Sequence, residues 1–113
     1  MNDFAFVYRG WDTSASPEDM QKTVDLWRAW FKDLEASGHL KDPGLPLDKS
    51  GSVIKGTRKL VSDGPFAEAK DVVGGFTLIT AQDLQQATDL ARGCPILESG
   101  GSIEVRPVLP LEM

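Results

Sequence analysis

Tyr8, His39, Asp63, Glu68, Lys70 and Arg106 are the side chains from which this 113-residue sequence could build chemistry. His39 is the single histidine and the only group whose ordinary pKa lies near neutrality, so His39 with Asp63 forms the one general acid/base pair on offer. Asp63 would take a proton, and Lys70 or Arg106 would hold an anionic group of the substrate. Glu68 and Tyr8 complete the set of substrate-binding candidates. Each residue also has a structural role to weigh against this. Asp63 suits a turn and cap, Glu68 and Lys70 a solvated ion pair, and His39 the last carbonyls of a helix. Arg106 suits an ion pair between subunits with Glu68 or Glu104. No Ser/His/Asp order, Walker loop, dinucleotide fingerprint or metal-ligand spacing occurs, and one His with one Cys gives too few soft ligands for zinc. The expectation is no cofactor and no metal.

Asp63 lies in the stretch Ser62-Asp63-Gly64-Pro65-Phe66-Ala67-Glu68-Ala69-Lys70-Asp71-Val72-Val73-Gly74-Gly75-Phe76. Its carboxylate can accept from backbone N–H groups just ahead, while Pro65 fixes its own φ and extends Gly64, which predicts a tight corner. A short helical turn from Pro65 to Lys70 would put Asp63 at its N-terminus, where negative charge is favoured. Phe66 would anchor the corner, and Gly74-Gly75 would bend the chain before an apolar strand from Phe76 to Ala81.

The remaining elements follow from spacing. Phe4, Phe6 and Tyr8 alternate with Ala5 and Val7, so the first strand is apolar on both faces. Ser16-Pro17-Glu18-Asp19 reads as a helix start, and the helix runs to about Ser37. Met20, Val24, Trp27, Phe31 and Leu34 form its inward stripe, widened by Leu26 and Trp30. Trp27, Trp30 and Phe31 could form an aromatic cage, but core or interface packing accounts for them more simply. His39 to Leu47 reads as irregular and extended, and Ser52–Lys55 with Lys59–Val61 as a hairpin around Gly56-Thr57-Arg58. A capping-box-like start at Thr80-Ala81-Gln82-Asp83 opens a second helix with Leu84, Ala87, Leu90 and Ala91 inward. Ser102 to Val108 is the final strand. The order β-α-β(hairpin)-β-α-β predicts an α+β, ferredoxin-like βαββαβ fold, with an antiparallel sheet and two helices on one face. The opposite face would be left apolar, a physical reason to expect a homodimer.

Length makes this one domain spanning 1–113, able to bury roughly 65% of its extended surface. A net charge of −5 disfavours nucleic acid and anionic membranes. Lys49, Lys55, Arg58 and Lys59 read as the solvated face of the hairpin. An acid near the N-terminus and a short apolar run fit neither a signal peptide nor a membrane span, and lone Cys94, read as a packed thiol, suits a reducing compartment, so a cytoplasmic location is expected.

Asp63-Gly64-Pro65-Phe66-Ala67-Glu68, with Lys70, Gly74-Gly75-Phe76 and Ile103-Glu104-Val105-Arg106-Pro107-Val108, resembles the DGPF-type branch of the YCII-related proteins, and the match in order covers nearly the whole chain. The resemblance implies small bacterial proteins that pair into a dimeric α+β barrel. With Asp63 as base and Lys70 or Arg106 as anchor, the residues suggest a small-molecule enzyme doing proton transfer or elimination on a compact carboxylated or aromatic substrate; the alternative, which the resemblance implies, is a non-catalytic binding or regulatory module associated with sigma-factor-like regulators. Two departures stand out. Ala69 replaces the Thr expected after the motif's Glu, and no His lies between Pro17 and Ser37, where the wider group's His–Asp pair would need one.

Overall fold

A computed structural model describes residues 1–10, 16–64 and 69–111. The strands are β1 (Asn2–Arg9), β2 (Leu40–Asp42), β3 (Gly51–Lys55), β4 (Leu60–Gly64), β5 (Val73–Ala81) and β6 (Ser102–Pro107). The helices are α1 (Pro17–Ala36) and α2 (Leu84–Ala91), with 3-10 turns at Ala69–Asp71 and Pro95–Leu97. β2, β5, β1 and β6 form one antiparallel sheet in that order, the ferredoxin-like arrangement. β3 and β4 pair only with each other, as the inserted hairpin.

The period-2 pattern of β1 is used as the physics requires. Phe4, Phe6 and Tyr8 are buried on the helix side, while Ala5 and Val7 are half-buried on the other. Phe6 stacks on Trp30 at 5.8 Å between ring centroids, and Tyr8 meets Trp27 edge-on at 4.8 Å. These contacts seat α1 on the middle of the sheet. Ser16 caps α1, its side chain accepting from the Asp19 N–H at 3.2 Å, with Pro17 in the first turn.

Several boundaries differ from the sequence reading. β5 starts at Val73, so Gly74 and Gly75 lie inside a strand instead of bending the chain before it. β5 also extends through Thr80 and Ala81, which pair with Asp3 and Asn2. The cap of α2 therefore falls on Asp83, accepting from the Gln86 N–H at 2.9 Å, while Gln86 Oε1 accepts from the Gln82 N–H at 2.7 Å. Leu26 and Leu84 are exposed, because the narrow stripe Trp27, Trp30, Leu34 and Ala87, Ala91 already fills the space over the sheet. The second strand of the main sheet comes from the segment read as irregular, where Leu40–Asp42 pairs at the edge with Ile79 and Leu78. The corner Pro65–Glu68, including the Phe66 anchor, lies outside the described residues, and the expected helical turn is seen only as Ala69–Asp71.

Cys94 is buried, and desolvation pushes its thiol from 9.0 to about 12, against a smaller opposing effect of the Ile96 N–H. Folding thus favours the neutral thiol. Its stabilisation is complete below pH 9 and lost as pH rises towards 12. Urea unfolding from pH 8 upward should show the parent losing stability faster than Cys94→Ala across that window; parallel curves would contradict the assignment. At neutral pH, Phe6→Ala should cost about 3–5 kcal/mol in the same assay, as removal of a fully buried ring under α1 does.

Candidate functional site

The edge of the sheet beside β5 is irregular, and the irregularity makes a cavity. After pairing with Leu78, Asp42 turns the chain by accepting from the Gly44 N–H at 2.8 Å. Gly44 has φ +66, and a Cβ there would fall 1.8 Å from the Phe76 carbonyl oxygen, so only glycine permits this close approach. The chain returns to β5 where Pro46 bridges Gly75 and the Leu47 N–H donates to Gly74 at 2.9 Å. Between those two anchors Pro43–Pro46 stands off the strand. Gly74 and Gly75 leave the strand surface without side chains, and a Cβ at Gly75 would come within 3.0 Å of the Leu45 carbonyl oxygen.

The resulting cavity, about 220 Å³, lies between this edge loop, Tyr8 and the face of α1 carrying Val24, Trp27 and Phe31. Its lining is almost wholly apolar. Arg28 is the one charged residue among those that line it, and it is exposed. On the sheet side, Tyr8 Oη donates to Thr77 Oγ1 at 2.7 Å, and Thr77 Oγ1 donates to the Pro43 carbonyl at 2.9 Å. Burial raises the Tyr8 pKa well above the ordinary phenol range, the bond with Thr77 opposing this and Cys94 adding to it, so Tyr8 keeps its proton. The relay ties the loop to the sheet and leaves the phenol oxygen lone pairs with which to accept.

The residues singled out from sequence are dispersed. Tyr8 lines the cavity. His39 sits at the other end of β5, its Nδ1 donating to the Thr80 carbonyl at 2.8 Å. Asp63 is exposed and pairs with Ser52 in the hairpin, whose base adjoins Arg9 and Asp71–Val73. From Thr80 to Val73 the strand spans about 23 Å, so the structure does not bring His39 and Asp63 together. Lys70 is on the 3-10 turn beside Gly10, and Glu68 lies outside the described residues. Arg106 is exposed on the sheet face away from the helices, 3.7 Å from Glu104, which Arg9 also reaches at 3.3 Å. The expected intersubunit role of Arg106 thus has a partner within its own strand. Among the described residues, no cluster of three His, Cys, Asp or Glu side chains could hold a metal ion, and no helix is long and apolar enough to cross a membrane.

Sequence reasoning missed Arg28 and the Pro43–Pro46 wall. It weighed the Trp27/Trp30/Phe31 cage against core packing, and the structure divides the cluster. Trp30 belongs to the core against Phe6, whereas Trp27 and Phe31 serve the core and the cavity. The available signal was the pairing of Gly74-Gly75 with a loop held by prolines at both ends.

Two similarities and a family match accompany this geometry. An uncharacterized protein of Rhizobium meliloti is 48% identical over 50 residues, 43% of this chain, and the chain spans 40% of that relative's length. The solved structure of the 5-chloro-2-hydroxyhydroquinone dehydrochlorinase of Burkholderia phenoliruptrix AC1100, in complex with 2,5-dihydroxybenzoquinone, aligns with a TM-score of 0.48 at 15% identity, covering 95% of this chain and 93% of that one. The model of the YCII-related domain matches residues 6–112, from β1 to beyond β6, and the chain belongs to the YCII-related domain family.

Proposed function

We propose that the protein binds a compact aromatic acid in the cavity between α1, the Pro43–Pro46 loop and Gly74–Phe76. The observation that carries this is the lining: aromatic and aliphatic side chains around about 220 Å³, with one cation at the rim. An apolar cavity of about 150 Å³ takes benzene, and drug-sized pockets begin at about 300 Å³, so the space suits one substituted ring. Trp27 and Phe31, inclined at 43° to each other, offer a planar guest offset and edge-on contacts. Arg28 makes no ion pair with any described residue, so a carboxylate at the outer end of the ring gains a charge-assisted hydrogen bond there. This assigns Arg28 the anion-anchoring role expected of Lys70 or Arg106.

An enzymatic form of this reading, proton transfer or elimination on the bound ring, is favoured by the Tyr8–Thr77–Pro43 relay. Tyr8 would orient a ring hydroxyl through its acceptor lone pairs. Asp63, the base expected from sequence, does not line the cavity. Assembly belongs to the same proposal. Ala5, Val7, Phe76 and Leu78 share the sheet face that no helix covers, and Phe76 is 40% exposed, so two copies pairing through this face, as in a dimeric barrel, would shield it. The DGPF branch and a cytoplasmic setting, which suits the unpaired Cys94, complete the reading.

Tryptophan fluorescence titrations with benzoate and benzyl alcohol test the site. Both ligands should perturb the parent. Arg28→Gln should weaken benzoate at least about 10-fold, the scale of one charge-assisted bond, and leave benzyl alcohol unchanged. Tyr8→Phe should weaken phenol more than toluene. No response to any ring at millimolar concentration would overturn the pocket assignment, and equal losses for benzoate and benzyl alcohol in Arg28→Gln would overturn the role of Arg28.

A further inference from the structure

The hairpin β3–β4 is at odds with its surroundings in three ways. Its strands hydrogen-bond only to each other, and among the described residues no helix or other strand packs substantially against them. A two-stranded hairpin of this length is marginal in water on its own. Both of its faces are apolar. Ile54 and Val61, a cross-strand pair, are 66% and 67% exposed on one face, and Leu60 is exposed beside half-buried Val53 on the other. It is also basic. Residues 51–64 contain Lys55, Arg58 and Lys59 against the single acid Asp63, so the hairpin carries +2, and the net −5 of the chain leaves −7 on the remainder. The protein's outline agrees with an arm standing off its body: a radius of gyration of 15.6 Å, where about 13 Å is usual for a compact chain of this length.

We infer that the β3–β4 hairpin is an assembly arm that docks on the acidic body of a second copy of this chain. Charge segregation selects that occupant. The arm's three cations crowd one another in their own segment and find their complement on the −7 body, where an identical molecule supplies it at every encounter. The apolar pair Ile54/Val61 loses its water in the same contact. Nucleic acid would meet the three cations too, but would bring its phosphates against the acidic body. The arm lies outside the main sheet, so its docking is a contact separate from pairing through the Ala5/Val7/Phe76/Leu78 face.

Sedimentation velocity on the full chain tests this with two sets of variants, in 50 and 500 mM salt, with circular dichroism to confirm folding. The parent should self-associate, and salt should weaken it. The combined Lys55→Glu, Arg58→Glu and Lys59→Glu variant should raise the dissociation constant at least about 10-fold and lose the salt dependence. Ile54→Ser with Val61→Ser should raise it with the salt dependence kept. Val7→Lys reads the sheet face independently. Zero-length carbodiimide cross-linking of mixed isotopically labelled and unlabelled protein should join Lys55 or Lys59 of one copy to a carboxylate of the other. A monomeric parent, an unchanged dissociation constant in both arm variants, cross-links confined to one copy, or retention of a DNA duplex by the parent and not by the charge variant would each overturn the inference.

Discussion

The structure depends on aromatic packing between one strand and one helix. Phe6 and Tyr8 project from the second strand in from the sheet's edge, and Trp27 and Trp30 descend on them from α1. Four large rings are buried in this one contact, and their edge-on and stacked geometries orient the helix over the sheet. Once that contact is set, the positions of β5 and β6 on either side of β1 follow from register, and the space left beside the middle of α1 is decided as well. The cavity is what remains where this packing stops.

That hollow is shaped more by missing atoms than by present ones. Gly74 and Gly75 withhold side chains from the strand, and Gly44 lets the edge loop press against the Phe76 carbonyl while Leu45 and Pro46 arch outward. The Tyr8–Thr77–Pro43 hydrogen bonds then pin the loop from below. A ladder continued past Asp42 would have closed the gap with ordinary strand pairing.

The fold was legible because its signals are periodic and local: the alternation in β1, the cap at Ser16, the stripe of α1, and the hairpin signature around Gly56. What escaped was decided between distant segments. Nothing in Leu40-Lys41-Asp42 marks a strand, and it becomes one because β5 presents an unpaired edge to it. Gly74-Gly75 signalled an irregularity, but not that the partner segment would carry it. The candidate site suffered most. Titratable residues attract attention in a sequence, yet His39 and Asp63 sit at separate places, while the cavity is built from Trp27, Phe31 and a proline-bounded loop whose types look like ordinary core and turn. Tyr8 was found for its hydroxyl, and the structure uses its ring as well.

The placement of β1 carries a consequence for how the molecule is made. It precedes both of its neighbours in the sequence and is enclosed by them, β5 and β6, with the Asp3 carbonyl accepting from the Val108 N–H at 3.0 Å. Its partners therefore leave the ribosome only after α1 and the hairpin have been made, and until they do, Phe4, Phe6 and Tyr8 wait on a nascent chain with only α1 to shelter them. Such non-local closure is slow, and it exposes a greasy strand during translation.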